Sequence, residues 1–146
     1  MTSVAAMQTL IELATRDTDA AAKRLGQAVR AADEAQQKLD LLTEYRNDYA
    51  ARLQASMAAG LAASGFRNFQ QFIGTLDGAI SGQQAVVAAA RQRITEARND
   101  WQASERKRMS YGTLVERAHK EAQKETGKRE QKQTDEHAAR ALLYKR

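Results

Sequence analysis

Apolar residues recur along this chain with a seven-residue period. From Val4, alternate steps of three and four land on Met7, Ile11, Ala14, Thr18, Ala21, Leu25, Ala28, Ala32, Ala35, Leu39, Leu42, Arg46, Tyr49 and Leu53. Thirteen of these 15 positions are apolar, with Thr18 and Arg46 the exceptions. A stripe held for seven heptads without a skip predicts a coiled-coil helix, because this period keeps one narrow face turned toward a partner. The stripe stops near Gly60. The stretch from Ala58 to Gly65 holds two glycines and a serine and predicts a turn. Gly60 is placed to end the first helix and Ser64 to cap the second.

The stripe then resumes at Phe69, Ile73, Leu76, Ile80, Gln83, Val87, Ala90, Ile94, Ala97, Trp101, Ser104, Arg108, Tyr111, Val115, Ala118 and Ala122, and 13 of these 16 are apolar. The two stripes fit each other. Folding back at the glycines pairs Leu53 with Phe69, Tyr49 with Ile73, Leu42 with Ile80, Ala28 with Ile94 and Ala21 with Trp101. The paired numbers add to 122 in every layer, down to Val4 with Ala118. Large side chains often face small ones, which evens the layer volumes, and Thr18 shares a layer with Ser104. Unrelated helices have no reason to share one register over fifteen layers. The expected fold is therefore all-α, a long two-helix antiparallel coiled-coil hairpin over residues 1–122 with its turn near 58–65.

Past Ala122 the stripe fails, with Glu125, Arg129 and Lys132 at the next expected positions. Residues 123–146 are expected to form a polar tail, either a frayed, solvated helix or disorder. Its last apolar cluster, from Ala138 to Tyr144, reads as a docking end or a loose terminus.

Composition reinforces the helical reading. The chain has no proline and no cysteine, and only 5% of its residues are aromatic. Lack of proline removes the commonest helix breaker, and lack of cysteine excludes disulfides and thiolate metal sites. The longest uncharged stretches, Leu53 to Phe66 and Gly78 to Ala90, fall short of the ~18–20 residues a membrane helix needs. The N-terminus has no early Lys or Arg of a secretory signal, so a cytoplasmic location is expected.

The net charge of +5 is uneven. Residues 1–104 hold 11 basic and 11 acidic side chains, whereas residues 105–146 hold 12 and 7. Lys120, Lys124, Lys128 and Lys132 form one i, i+4 row there. The row reads as a solvated face or as a seat for an acidic partner surface. Glu116, Glu121, Glu125 and Glu130 interleave with it and no aromatic residue alternates with the lysines, so nucleic acid is not the expected partner.

Catalysis has no foothold. His119 and His137 are 18 residues apart, and Asp135, Glu136 and His137 are sequential and so point in different directions on a helix. The glycines of the turn lack the Lys-Ser/Thr of a phosphate loop. A non-enzymatic protein without cofactor or metal is expected. Binding chemistry is better represented. Tyr45 and Phe72 stand beside the stripe near the tip, and with Leu42, Tyr49, Leu76 and Ala79 they make an apolar cluster wider than a seam requires. Exposed aromatics are common interface anchors, although these two also have the option of sealing the seam. Gly74, Gly78 and Gly82 repeat on an outward face, either baring the backbone to a partner or softening the helix.

The run Leu41-Leu42-Thr43-Glu44-Tyr45-Arg46-Asn47-Asp48-Tyr49, followed after the turn by Asn68-Phe69-Gln70-Gln71-Phe72-Ile73-Gly74-Thr75-Leu76, resembles the FliJ family of bacterial flagellar type III export proteins. The resemblance is carried mainly by residues 37–82 and extends more loosely over the rest. It implies an antiparallel coiled coil similar to the central stalk of rotary ATPases. It further implies a cytoplasmic part of the export apparatus in flagellum biogenesis, held peripherally at the inner membrane. The implied partners are the hexameric export ATPase FliI, the export-gate protein FlhA and export chaperones. On this basis residues 4–25 and 97–122 would enter the ATPase ring, and Leu42, Tyr45, Tyr49, Phe72, Leu76 and Ala79 would face the gate, with Gln83 beside them. The alternative is a coiled-coil adaptor or chaperone unrelated to flagella.

Overall fold

The structure is a computed structural model that describes residues 4–145. It is all-α: α1 runs Val4–Ala58 and α2 runs Ala63–Tyr144, packed against each other as a helical hairpin, with no strand among the described residues. No helix of the described residues is long and apolar enough to cross a membrane. The chain divides into two compact units, one of Ala20–Trp101 and one of Met1–Asp19 with Gln102–Arg146.

In the unit Ala20–Trp101 the heptad positions of both helices are withdrawn from solvent while most of their neighbours are exposed. Ala21, Ala32, Ala35, Leu76, Val87 and Ala90 are buried. Four of these six are alanines, so the seam is narrow and its facing side chains are short. Burial of Leu76 and Val87 contributes about 1.5–3 kcal/mol each, and the alanines contribute less. Polar seam residues find partners across the interface. The Arg46 guanidinium donates through Nε to Asp77 Oδ1 at 2.9 Å. The Gln83 amide donates to the Ala35 carbonyl at 2.9 Å. Just off the seam, Arg91 donates to Gln36 Oε1 at 3.0 Å. Each of these pairs lies within five of the 122 sum expected from the sequence.

The turn is short. Ala59 N–H donates to the Ala55 carbonyl at 3.2 Å and Gly60 N–H to the Met57 carbonyl at 3.1 Å. Gly60 has φ +95°, where a side chain would be strained, so the first helix ends at this glycine as expected. Ser64 does not cap α2. The first helical bond runs from Phe66 N–H to the Ala62 carbonyl, which makes Ala62 the cap and puts Ser64 inside the helix. Leu61 and Phe66 then occupy the positions of a hydrophobic staple, before the cap and in the first turn. Leu61 lies so close to Gly65 that a Cβ there would sit 2.8 Å from its Cδ1. Apolar contact at the entry, and not a polar cap, sets where α2 begins.

In the other unit, Val4 to Ala14 and Thr18 on α1 and Ser104 to Ala118 on α2 keep the same period of burial. Ala14 and Thr18 are its buried residues. Thr18 returns its hydroxyl to the Ala14 carbonyl at 2.9 Å, so the polar layer costs no orphaned group. Arg108, also in the stripe, turns to Glu105 one turn back and donates from both Nε (3.2 Å) and Nη2. Burial ends at Ala118, which the register sets opposite Val4; Ala122 is exposed. Yet α2 continues to Tyr144, with every side chain from 121 to 145 exposed. Its Ala, Glu, Gln, Lys and Arg are strong helix formers, and Gln131 adds an i, i+4 hydrogen bond to Asp135 at 3.1 Å.

Candidate functional site

Two features of the heptad build the aromatic cluster near the turn. Tyr45 and Tyr49 are four apart on α1, and Phe69 and Phe72 three apart on α2, so each pair shares a helix face. Antiparallel pairing then brings the positions flanking the seam on α1 against the equivalent ones on α2. Tyr49 is the centre: its ring lies 4.5 Å from Phe72, 5.0 Å from Phe69 and 6.4 Å from Tyr45, centroid to centroid. Tyr45 meets Phe72 edge-on at 6.3 Å and 80°. Such tilted and edge-to-face contacts each contribute about 0.5–1.5 kcal/mol beyond burial.

The cluster is packed on its inner side and open on its outer side. Tyr45 is 52% exposed and Phe72 37% exposed, while Tyr49 and Phe69 are half-buried beneath them. Leu42 is half-buried, Leu76 is buried in the seam and Ala79 is exposed. Of the six residues the sequence grouped here, Tyr45, Phe72 and Ala79 offer surface, and Tyr49, Leu42 and Leu76 lie deeper. The sequence sets Phe69 in the seam and in the family-like run but outside the cluster; its contact with Tyr49 makes it the cluster's fourth ring. Spacing alone held the signal, since Phe69 precedes Phe72 by one helical turn. Gln83 spends its amide on Ala35, which leaves it inside the seam. The Arg46–Asp77 pair borders the rings, at 36% and 52% side-chain exposure.

Rings already held by one another lose little freedom on docking, which is what a preorganised anchor requires. Elsewhere, His119 and His137 are both exposed on α2, and the described residues hold no group of three or more side chains placed to bind a metal. The four lysines at 120, 124, 128 and 132 are exposed, and none forms an ion pair among the described residues.

The family model described as "Flagellar FliJ protein" matches residues 3–146. The chain is 33% identical over 140 residues to the flagellar FliJ protein of Escherichia coli (strain K12), covering 96% of this chain and 95% of that one. Over the same length it is 32% identical to the flagellar FliJ protein of Salmonella typhi, again covering 96% and 95%.

Proposed function

This chain belongs to the flagellar FliJ protein family, and from that premise we propose that it is a non-enzymatic stalk and adaptor of the flagellar type III export apparatus. In this reading residues 4–25 and 97–122 engage the hexameric export ATPase FliI. The aromatic cluster near the turn engages the export gate FlhA, and export chaperones bind the same protein. The adaptor acts in the cytoplasm, held against the inner membrane by the apparatus it serves. It couples nucleotide-driven events in the ATPase to substrate entry at the gate by contact and makes or breaks no bond itself.

The observation that supports this reading is the open face of the cluster. Tyr45 and Phe72 remain substantially exposed although a rigid base of Tyr49 and Phe69 already holds them. Sealing the seam would not leave half of a tyrosine in water. Replacing Tyr45 and Phe72 together by alanine tests the assignment. Helix content by circular dichroism should persist, because every stripe residue, Tyr49 and Phe69 included, is kept. Capture of the gate protein should fall at least about tenfold, as the loss of two anchors predicts. Undiminished capture would remove the cluster from the gate interface.

A further inference from the structure

Two exposed rows of charge on this chain have the same spacing and opposite sign. On α2 the row is Glu116, Lys120, Lys124, Lys128; on α1 it is Asp40, Glu44, Asp48, Arg52. All eight side chains are exposed, and none forms an ion pair among the described residues, where the pairs are Arg46–Asp77 and Glu105–Arg108. Within each row, like charges at i, i+4 repel along the helix. Set antiparallel, the rows match term by term: Glu116 meets Arg52, Lys120 meets Asp48, Lys124 meets Glu44 and Lys128 meets Asp40. Set parallel and shifted by one turn, the rows match as well, with Lys124 on Asp40, Lys128 on Glu44, Lys132 on Asp48 and Glu136 on Arg52.

The seam register places residues 40–52 of α1 opposite residues 70–82 of α2. We propose that the basic row of one copy docks onto the acidic row of a second copy of this chain. Rows of this i±4n kind pack along each other when two helices cross at about 50°. The acidic row offers more than charge: Asp40, Glu44 and Asp48 line an open groove of about 380 Å³ together with Leu39, Asn47 and Gln84. Because the groove is open, lysine ammonium groups can reach its carboxylates without full desolvation. The contact is heterologous, so each pairing leaves one row free on each copy, and association proceeds beyond the dimer unless the ring closes. Exposed ion pairs are individually weak and screened by salt. The association is therefore concentration-dependent and reversible, and it occurs at low ionic strength. Glu121, Glu125 and Glu130 flank the lysines, which sets the row against nucleic acid as its occupant.

A charge exchange on the full chain tests the proposal. One variant carries Lys124→Glu and Lys128→Glu; the other carries Asp40→Lys and Glu44→Lys. Wild-type mass in sedimentation equilibrium should rise with concentration at roughly 50 mM salt, and its association should weaken about tenfold or more by roughly 500 mM. Each variant alone should stay monomeric, since its rows now repel. An equimolar mixture should recover association, which also shows that both variants are folded. Carbodiimide coupling between isotopically distinct wild-type copies should join lysines of the basic row to Asp40, Glu44 or Asp48 of the other copy, with Lys120–Asp48 and Lys128–Asp40 marking the antiparallel register and Lys132–Asp48 and Lys124–Asp40 the parallel one. A monomeric wild type at all concentrations would overturn the proposal. So would variants that still self-associate, or a mixture that does not recover. Loss of short-duplex DNA binding in the lysine variant with self-association intact would assign the row to nucleic acid instead.

Discussion

Ala21 and Trp101 offer the sharpest test of the packing. Ala21 has no exposed surface, and the register sets it in one layer with Trp101, which is half-buried. Ala21→Leu adds three carbons to a filled layer and should destabilise by about 1–3 kcal/mol, the usual cost of overpacking. Trp101→Ala removes a large ring; full burial would make that about 3–5 kcal/mol, and half-burial reduces it to about 2 kcal/mol. If the two shared no space, the double variant would lose the sum, about 3–5 kcal/mol. Facing each other, the leucine occupies the volume the indole leaves. The double variant should then lose no more than about 2 kcal/mol, a favourable coupling of at least about 1 kcal/mol. Trp101 is the only tryptophan, so two of the four proteins lack the natural fluorophore. Urea titration followed by helix ellipticity reads all four alike. A double variant that equals the sum to within about 0.5 kcal/mol would show that the residues do not meet, and would refute the fifteen-layer register.

Gly60→Ala forces a Cβ into a backbone at φ +95° and should cost about 1–2 kcal/mol in the same titrations; an unchanged midpoint would mean that the turn relaxes. Glu105 is held below the usual carboxylate range chiefly by its hydrogen bond from Arg108, which outweighs the opposing effect of burial, with that cation's charge adding the least. A carboxyl lowered on folding adds stability that is complete above its unfolded value and lost as pH falls through the folded one. Acidification through and below the ordinary glutamate range should therefore destabilise wild type more than Glu105→Gln, and parallel pH profiles of the two would contradict this.

The hairpin was legible because heptads are redundant: a misread at one layer is corrected by fourteen others. The polar breaks in the stripe were visible, but their solutions were not. Nothing in the sequence says that Gln83 reaches a backbone carbonyl on the facing helix while Arg108 turns back along its own. Those choices depend on side-chain reach and on the gap between helices. Ser64 misled because cap preference is a property of one residue, whereas the start of α2 is fixed by Leu61 lying over Gly65. In the cluster, Tyr45 and Phe72 were found as apolar residues off the stripe. Phe69 was hidden by lying on it, and it joined the cluster only once ring distances were known. For residues 123–144 the lost stripe weighed toward fraying while composition favoured helix. Absence of a seam says where partners stop, not where a helix stops, and α2 extends through the segment.

The narrow alanine-lined seam leaves a mark on how this chain can vary in length. Short side chains tolerate exchange at any one layer, but one residue added or lost within 4–53 or 69–118 turns everything beyond it by about 100°. That single step carries the stripe out of the interface and brings charge in. Descendants of this sequence are thus free to drift in spelling while their spacing stays frozen. Length changes find room between Leu53 and Phe69 or past Ala118, where no facing layer keeps count.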